Sequence, residues 1–156
     1  MILLTGIPGT AKTTVAEYLV SHDGFTHFDR EQFAHWPPYL RALWIRALPL
    51  FVLLLKLRYD KVVISWGFLP VMDNYEIRRL VTMGFSMIWF DGEREVARRE
   101  FLNRATATEE EFDAQVSRIE QLHLETFPHV KINPFGVDRQ FLPVPEIVEK
   151  VLRAID

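Results

Sequence analysis

No cysteine occurs in the 156 residues, which excludes a disulfide framework, a thiolate metal centre and a cysteine nucleophile. Positive charge is not in excess either. The formal balance is −3, which gives no support to broad binding of nucleic acid or anionic membrane. The five histidines are scattered without metal-ligand spacing, so no zinc site is expected. Internal repeats, low-complexity tracts and linkers are missing, and a chain of this length suits one domain with a sizeable core. The amino end passes straight into an apolar strand pattern with no room for a signal or transit peptide, so a cytoplasmic protein is the default expectation. A long hydrophobic run is lacking too. Tyr39 to Leu57 reads YLRALWIRALPLFVLLLKL, but its uninterrupted part, Ala47 to Leu55, is about half of what a spanning helix needs. Arg41, Arg46 and Lys56 flank or interrupt it. A buried helix kinked or broken at Pro49 is expected instead, and no membrane partner.

What the chain does have lies at its amino end. Ile2 to Thr5 reads as a short buried strand, and Gly6, Ile7, Pro8, Gly9, Thr10 and Ala11 form a turn. Lys12, Thr13 and Thr14 then open a helical pattern with Val15, Ala16, Tyr18, Leu19 and Val20 on its apolar side. Strand, glycine turn, Lys-Thr and helix are the physical design of a phosphate-binding loop. Its backbone N–H groups point at an anion, and the helix dipole favours negative charge there. Gly6, Pro8, Gly9, Thr10, Ala11, Lys12, Thr13 and Thr14 are therefore the expected nucleotide-binding residues. Lys12 would bridge the β- and γ-phosphates, and the Thr13 hydroxyl would complete a Mg²⁺ shell. One residue departs from GxxxxGK[ST]: Ala11 stands at the second glycine. If the backbone needs a positive φ there, a Cβ costs about 1–2 kcal/mol and crowds the phosphate.

Further along, Phe25 to Phe28 reads as a second strand with Asp29 at its end, and KVVISW, Lys61 to Trp66, as a central parallel strand. Helices are expected over Met72–Met83, Glu93–Arg104, Thr108 to about Thr126, and Pro145–Ile155, with Thr108 and Glu111 fitting a capping box. Phe85–Phe90 and His129–Ile132 supply two more strands. Strands alternating with helices predict an α/β fold, a parallel sheet covered on both faces. Ligands of such sheets bind at the carboxyl ends of the strands. The loop at Gly6–Thr13, Asp29 and Trp66-Gly67 all fall at that edge.

With those residues placed, the chain resembles the small P-loop kinases of the nucleoside-monophosphate-kinase-like group, among them adenylate, shikimate, gluconate and polynucleotide kinases. GIPGTAKTT looks like that group's GxPGxGKxT, FDRE like its acidic residue after the second strand, and SWGF like the GF after its third. FDGEREVARREFLNR is similar to its fourth strand and the arginine-bearing helix leading to its lid. The resemblance implies a three-layer P-loop NTPase fold with a five-stranded parallel sheet in order 2-3-1-4-5. It implies one domain over 1–156, with a lid-like segment near 99–112, ATP on the loop, the acceptor beside Asp29 and Arg104 near the lid. Where relatives often carry a metal-associated acid after the third strand, this chain has Ser65-Trp66. Mg²⁺ would then rely on Thr13, with Asp29 as the nearby carboxylate.

On this reading Asp29 orients, and deprotonates, an acceptor hydroxyl; the alternative is a helix N-cap. Arg30 binds an acidic substrate group or is a solvated surface charge. Trp66, with His35 and Trp36, lines the acceptor pocket or fills core. Of Arg94, Arg98, Arg99 and Arg104, Arg104 first and Arg99 second are expected to clamp transferring phosphate. The rest belong to a solvent-facing helix with pairs such as Glu95–Arg99. The loop Asn133–Leu142 would pass near the adenine. The expected activity is an ATP-dependent, Mg²⁺-requiring kinase acting on a hydroxyl or phosphate of a small-molecule acceptor. One alternative is a polynucleotide 5′-hydroxyl kinase, which the acidic balance opposes and the Arg94–Arg104 helix leaves open. Another is a nucleotide- or partner-binding module with little catalysis, motivated by Ala11 and Ser65-Trp66, with Leu48–Leu55 as its interface. Nothing in the sequence specifies an oligomeric state.

Overall fold

The computed structural model describes residues 1–67, 74–104, 107–123 and 126–155. Strand β1 (Ile2–Gly6) leads through the loop into α1 (Lys12–Asp23), which ends at Gly24 in a left-handed conformation. There follow β2 (Thr26–Asp29), a 3₁₀ turn at Phe33–His35, α2 (Pro38–Arg46), α3 (Leu48–Arg58), β3 (Val62–Ser65) and α4 (Asn74–Thr82). The chain closes with β4 (Ser86–Phe90), α5 (Arg94–Leu102), α6 (Glu109–Leu122), β5 (Val130–Ile132) and α7 (Val144–Arg153). All strand pairs are parallel, in the order β2-β3-β1-β4-β5. The α/β fold is the one the strand–helix alternation predicts, and the strand order is the one the resemblance implies.

Alternation along the strands divides the interior into two layers. Leu3, Ile64, Met87 and Trp89 face one side, under α2 to α6; Ile2, Leu4, Val63, Ile88 and Phe90 face the other, under α1 and α7. Because both faces are covered, β1 and β3 are buried at every position, which is why they read as unbroken apolar runs.

The apolar stretch after Pro38 is broken, as expected from Pro49, but it is buried on one side only. It breaks at Ala47 (φ −150°), and Pro49 falls in the first turn of α3, where its missing N–H costs nothing. Leu48, Phe51, Val52 and Leu55 pack inward, but Leu50, Leu53 and Leu57 are 55%, 50% and 78% exposed. A helix that is apolar all round has only one side to set against a sheet. No described helix is long and apolar enough to cross a membrane. The Thr108 capping box is formed in both directions: Glu111 N–H donates to Thr108 Oγ1 at 3.2 Å and Thr108 N–H to Glu111 Oε2 at 3.0 Å. The expected lid-like segment near 99–112 comprises the end of α5 and the start of α6, with 105–106 outside the described residues.

Candidate active site

The loop is held by close backbone contacts that only particular residues permit. Gly6 has φ +124°, and a Cβ there would stand 2.0 Å from the Phe90 carbonyl oxygen; the next residue, Ile7, donates its N–H to that same oxygen at 3.0 Å. Gly9 has φ +76°, and a Cβ there would meet the Ala97 carbonyl oxygen at 2.0 Å. Ala11 adopts φ 59°, ψ 25° as the residue preceding α1. The positive φ that makes glycine usual there is therefore present, and alanine bears its strain. The Thr10 hydroxyl donates to Ile7 O at 2.8 Å and braces the turn.

Lys12 is buried. Its ammonium donates to Ile7 O at 2.7 Å, to Gly6 O at 3.3 Å and to Thr10 Oγ1 at 3.4 Å. Burial lowers its pKa from 10.5 to about 8; the Glu31 carboxylate opposes that shift and Arg104 adds to it. Its charge is met by oxygens of its own loop, and an anion seated there would favour the protonated form. Pro8, Gly9, Ala11, Lys12 and Thr13 line a cleft whose other walls are Glu31, Gly67, Phe101, Arg104 and Gln115. The loop, one carboxylate and one further cation thus meet at the carboxyl edge of the sheet.

No family model matches the chain, and no curated protein sequence matches it. Solved structures do match over nearly all of it. A gluconokinase from Sinorhizobium meliloti 1021 aligns with TM-score 0.61 and 16% identity, covering 99% of this chain and 90% of its own. A shikimate kinase from Acinetobacter baumannii in complex with shikimate gives 0.59 and 16%, covering 99% and 91%. The tunicamycin resistance protein of Deinococcus radiodurans gives 0.60 and 19%, covering 99% and 94%. The chain has the small P-loop kinase fold.

Within this P-loop kinase fold, Thr13 is half-buried and borders two spaces, whereas Thr14 is exposed on α1. Beside the loop cleft lies a cavity of about 350 Å³ lined by Thr13, Glu17, His27, Asp29, His35 and Trp36 among others. Asp29 therefore stands on one side of Thr13 and Glu31 on the other. Asp29 Oδ1 accepts the Glu31 N–H at 2.9 Å, and the Asp29 carbonyl accepts Trp36 Nε1–H at 2.9 Å. These bonds fold the end of β2 so that Glu31 reaches across to Gly67, where a Cβ would fall 1.7 Å from Glu31 Oε1. His27 Nε2 and Ser65 Oγ are 2.8 Å apart, and burial lowers the His27 pKa despite Asp29 and Glu17.

Other expected site residues are directed elsewhere. The Arg30 guanidinium lies 4.3 Å above the Phe33 ring and 5.3 and 5.4 Å from those of Trp66 and Trp44. Burial lowers its pKa, partly offset by Glu76. Of the two readings of Trp66, acceptor wall or core, the structure shows the second, with the side chain fully buried. Its N–H continues the ladder to Leu4 O at 2.9 Å, which turns the ring into the core beneath Arg30. Arg99 donates to Arg139 O and pairs with Glu100, both at 3.1 Å, so it is not in the cleft that holds Arg104. Arg94 and Arg98 tie α5 to α6 through Glu120, and through Glu109 and Asp113.

Glu31 is the residue sequence reasoning passed over. Its signal was a carboxylate two positions after Asp29, and a glycine at the end of the neighbouring strand to make room for it. The donors around the loop are oxygens, the Thr13 hydroxyl and the two flanking carboxylates, which is the chemistry Mg²⁺ selects. No group of three acidic, histidine or cysteine residues among the described residues could hold a metal alone.

Proposed function

We propose that the protein is an ATP-dependent kinase that transfers the γ-phosphate to a hydroxyl group of a small molecule. The observation that carries this reading is the single cleft joining the loop, the buried Lys12, Arg104 and Glu31. Loop N–H groups and the α1 dipole hold the β-phosphate. Lys12 exchanges its contacts with Gly6 and Ile7 for β- and γ-oxygens. Thr13 would hold Mg²⁺ through its hydroxyl, with Asp29 beside it. That ion, when bound, neutralises charge on the phosphates. Glu31 orients the acceptor hydroxyl and takes its proton as the new O–P bond forms and the bond to the β-bridging oxygen breaks. Asp29 positions Glu31 through the Glu31 N–H bond, and Arg104 neutralises charge spreading over the γ-oxygens.

Arg30 is stacked on aromatic rings, which supports an acceptor lacking an acidic group at that point. The polynucleotide alternative needs a basic channel, and Arg94 and Arg98 are engaged with carboxylates. Calorimetry with ATP and Mg²⁺, followed by ATP-consumption assays against a panel of hydroxylated metabolites, tests the proposal. Nucleotide binding with turnover on one acceptor class is expected. A Lys12→Ala protein as active as the parent would overturn the mechanism.

A further inference from the structure

The outer side of α3 has no role in the cleft and no cover among the described residues. At about 100° per residue, Leu50, Leu53 and Leu57 form one stripe opposite the buried Leu48, Phe51, Val52 and Leu55. Lys56 and Arg58 fall about 100° to either side of that stripe, and both are exposed. Arg58 donates to the Tyr39 hydroxyl at 3.4 Å, which extends the patch onto α2 with a half-exposed aromatic ring. Lys56 rests on the Met83 carbonyl at 3.0 Å. From Gln32 to Tyr59 the chain carries four cations, Arg41, Arg46, Lys56 and Arg58, and no acid, although its overall balance is −3.

We propose that this face, in departure from the absence of a membrane partner expected from overall charge and helix length, docks on an anionic membrane surface, with α3 lying flat at the headgroup level. Leucines on the outer side of a short helix, with one cation on each margin at its C-terminal end, suit an interfacial helix: apolar side chains enter the acyl boundary while the charges reach anionic headgroups. Tyr39 suits the same depth, with an apolar ring and a wet hydroxyl. A second copy of the chain fits less well. A two-fold contact sets the same patch against itself, which would bring two sets of Arg46, Lys56 and Arg58 together from a stretch, Gln32 to Tyr59, that carries no acid. The proposal concerns surface association only and is independent of the kinase reading.

Sedimentation of the full chain with vesicles of phosphatidylcholine alone, or of equimolar phosphatidylcholine and phosphatidylglycerol, tests it. Recovery with the anionic vesicles, release by high salt and little recovery with the neutral ones are expected. Combining Lys56→Gln and Arg58→Gln should lower the partition coefficient about twenty-five-fold, at about fivefold per charge. Leu53→Asp with Leu57→Asp should abolish binding without changing the thermal midpoint or ATP affinity. Absence of binding, or equal recovery on both vesicles, overturns the proposal. So does a dimer by light scattering that Leu57→Asp separates, since a second copy would then cover the face.

Discussion

The cleft has two sides built by different means. From Gly6 to Lys12 one wall is made of consecutive residues, and its working parts are main-chain N–H groups, left-handed turns and one lysine folded back on its own loop. The facing wall draws Glu31 from the end of β2, Gly67 from the end of β3 and Arg104 from beyond α5. The first wall depends on backbone conformation; the second depends on where packed elements aim side chains. The first should govern nucleotide affinity and the second turnover.

The sharpest way to break this contrast is at Lys12, which in the proposed mechanism serves both steps. Lys12→Ala should lower kcat/KM by at least about 10²–10³-fold, read by coupled ATP-consumption assays, and should weaken ATP binding as well. Glu31→Gln should separate the two walls. A kcat lower by about a hundredfold is expected, with ATP affinity by calorimetry close to the parent's; an equal loss of affinity would assign Glu31 to the nucleotide instead.

The protonation of Lys12 gives a third test. Its pKa is about 8 in the folded chain against 10.5 unperturbed, and a bound phosphate favours the charged form. ATP affinity should therefore fall above about pH 8, approaching tenfold per unit, a dependence that Lys12→Met removes. Folding stability responds with the opposite sign. Between those two values the unfolded chain holds more protons, so Lys12's penalty is fully present below pH 8 and is relieved as pH rises towards 10.5. The smallest effect is expected at Ala11. Ala11→Gly should raise stability by about 1 kcal/mol and the thermal midpoint by about 2–4 °C, measured by calorimetry. ATP affinity should change by less than about fivefold; a larger gain would mean that the Ala11 Cβ crowds the phosphate.

The contiguous wall was legible because its information is local. Glycines at Gly6 and Gly9 and the Lys12-Thr13 pair describe a backbone path wherever they occur between a strand and a helix. The parallel sheet followed from β–α alternation and its strand order from the resemblance to small P-loop kinases, and Thr108 and Glu111 announced a helix start that forms with both its bonds. The break at Ala47 was visible in Pro49. The facing wall was less legible because side-chain destinations are settled by distant neighbours. Trp66 and Gly67 are adjacent, yet the ladder bond to Leu4 turns Trp66 into the core while Gly67 leaves room for Glu31. Arg99 and Arg104 share one charged segment, but Arg99 is claimed by the Arg139 carbonyl. Nor does composition reveal which leucines of α3 face outward, since the helix is apolar on every side.

The seat of Gly9 against Ala97 has a mechanical meaning. The tip of the loop rests on the main chain of α5, with no space for even a methyl group between them, and Arg104 hangs from the far end of that same helix. A side chain at position nine would therefore press on the Ala97 carbonyl and shift α5, and with it Arg104, relative to the loop.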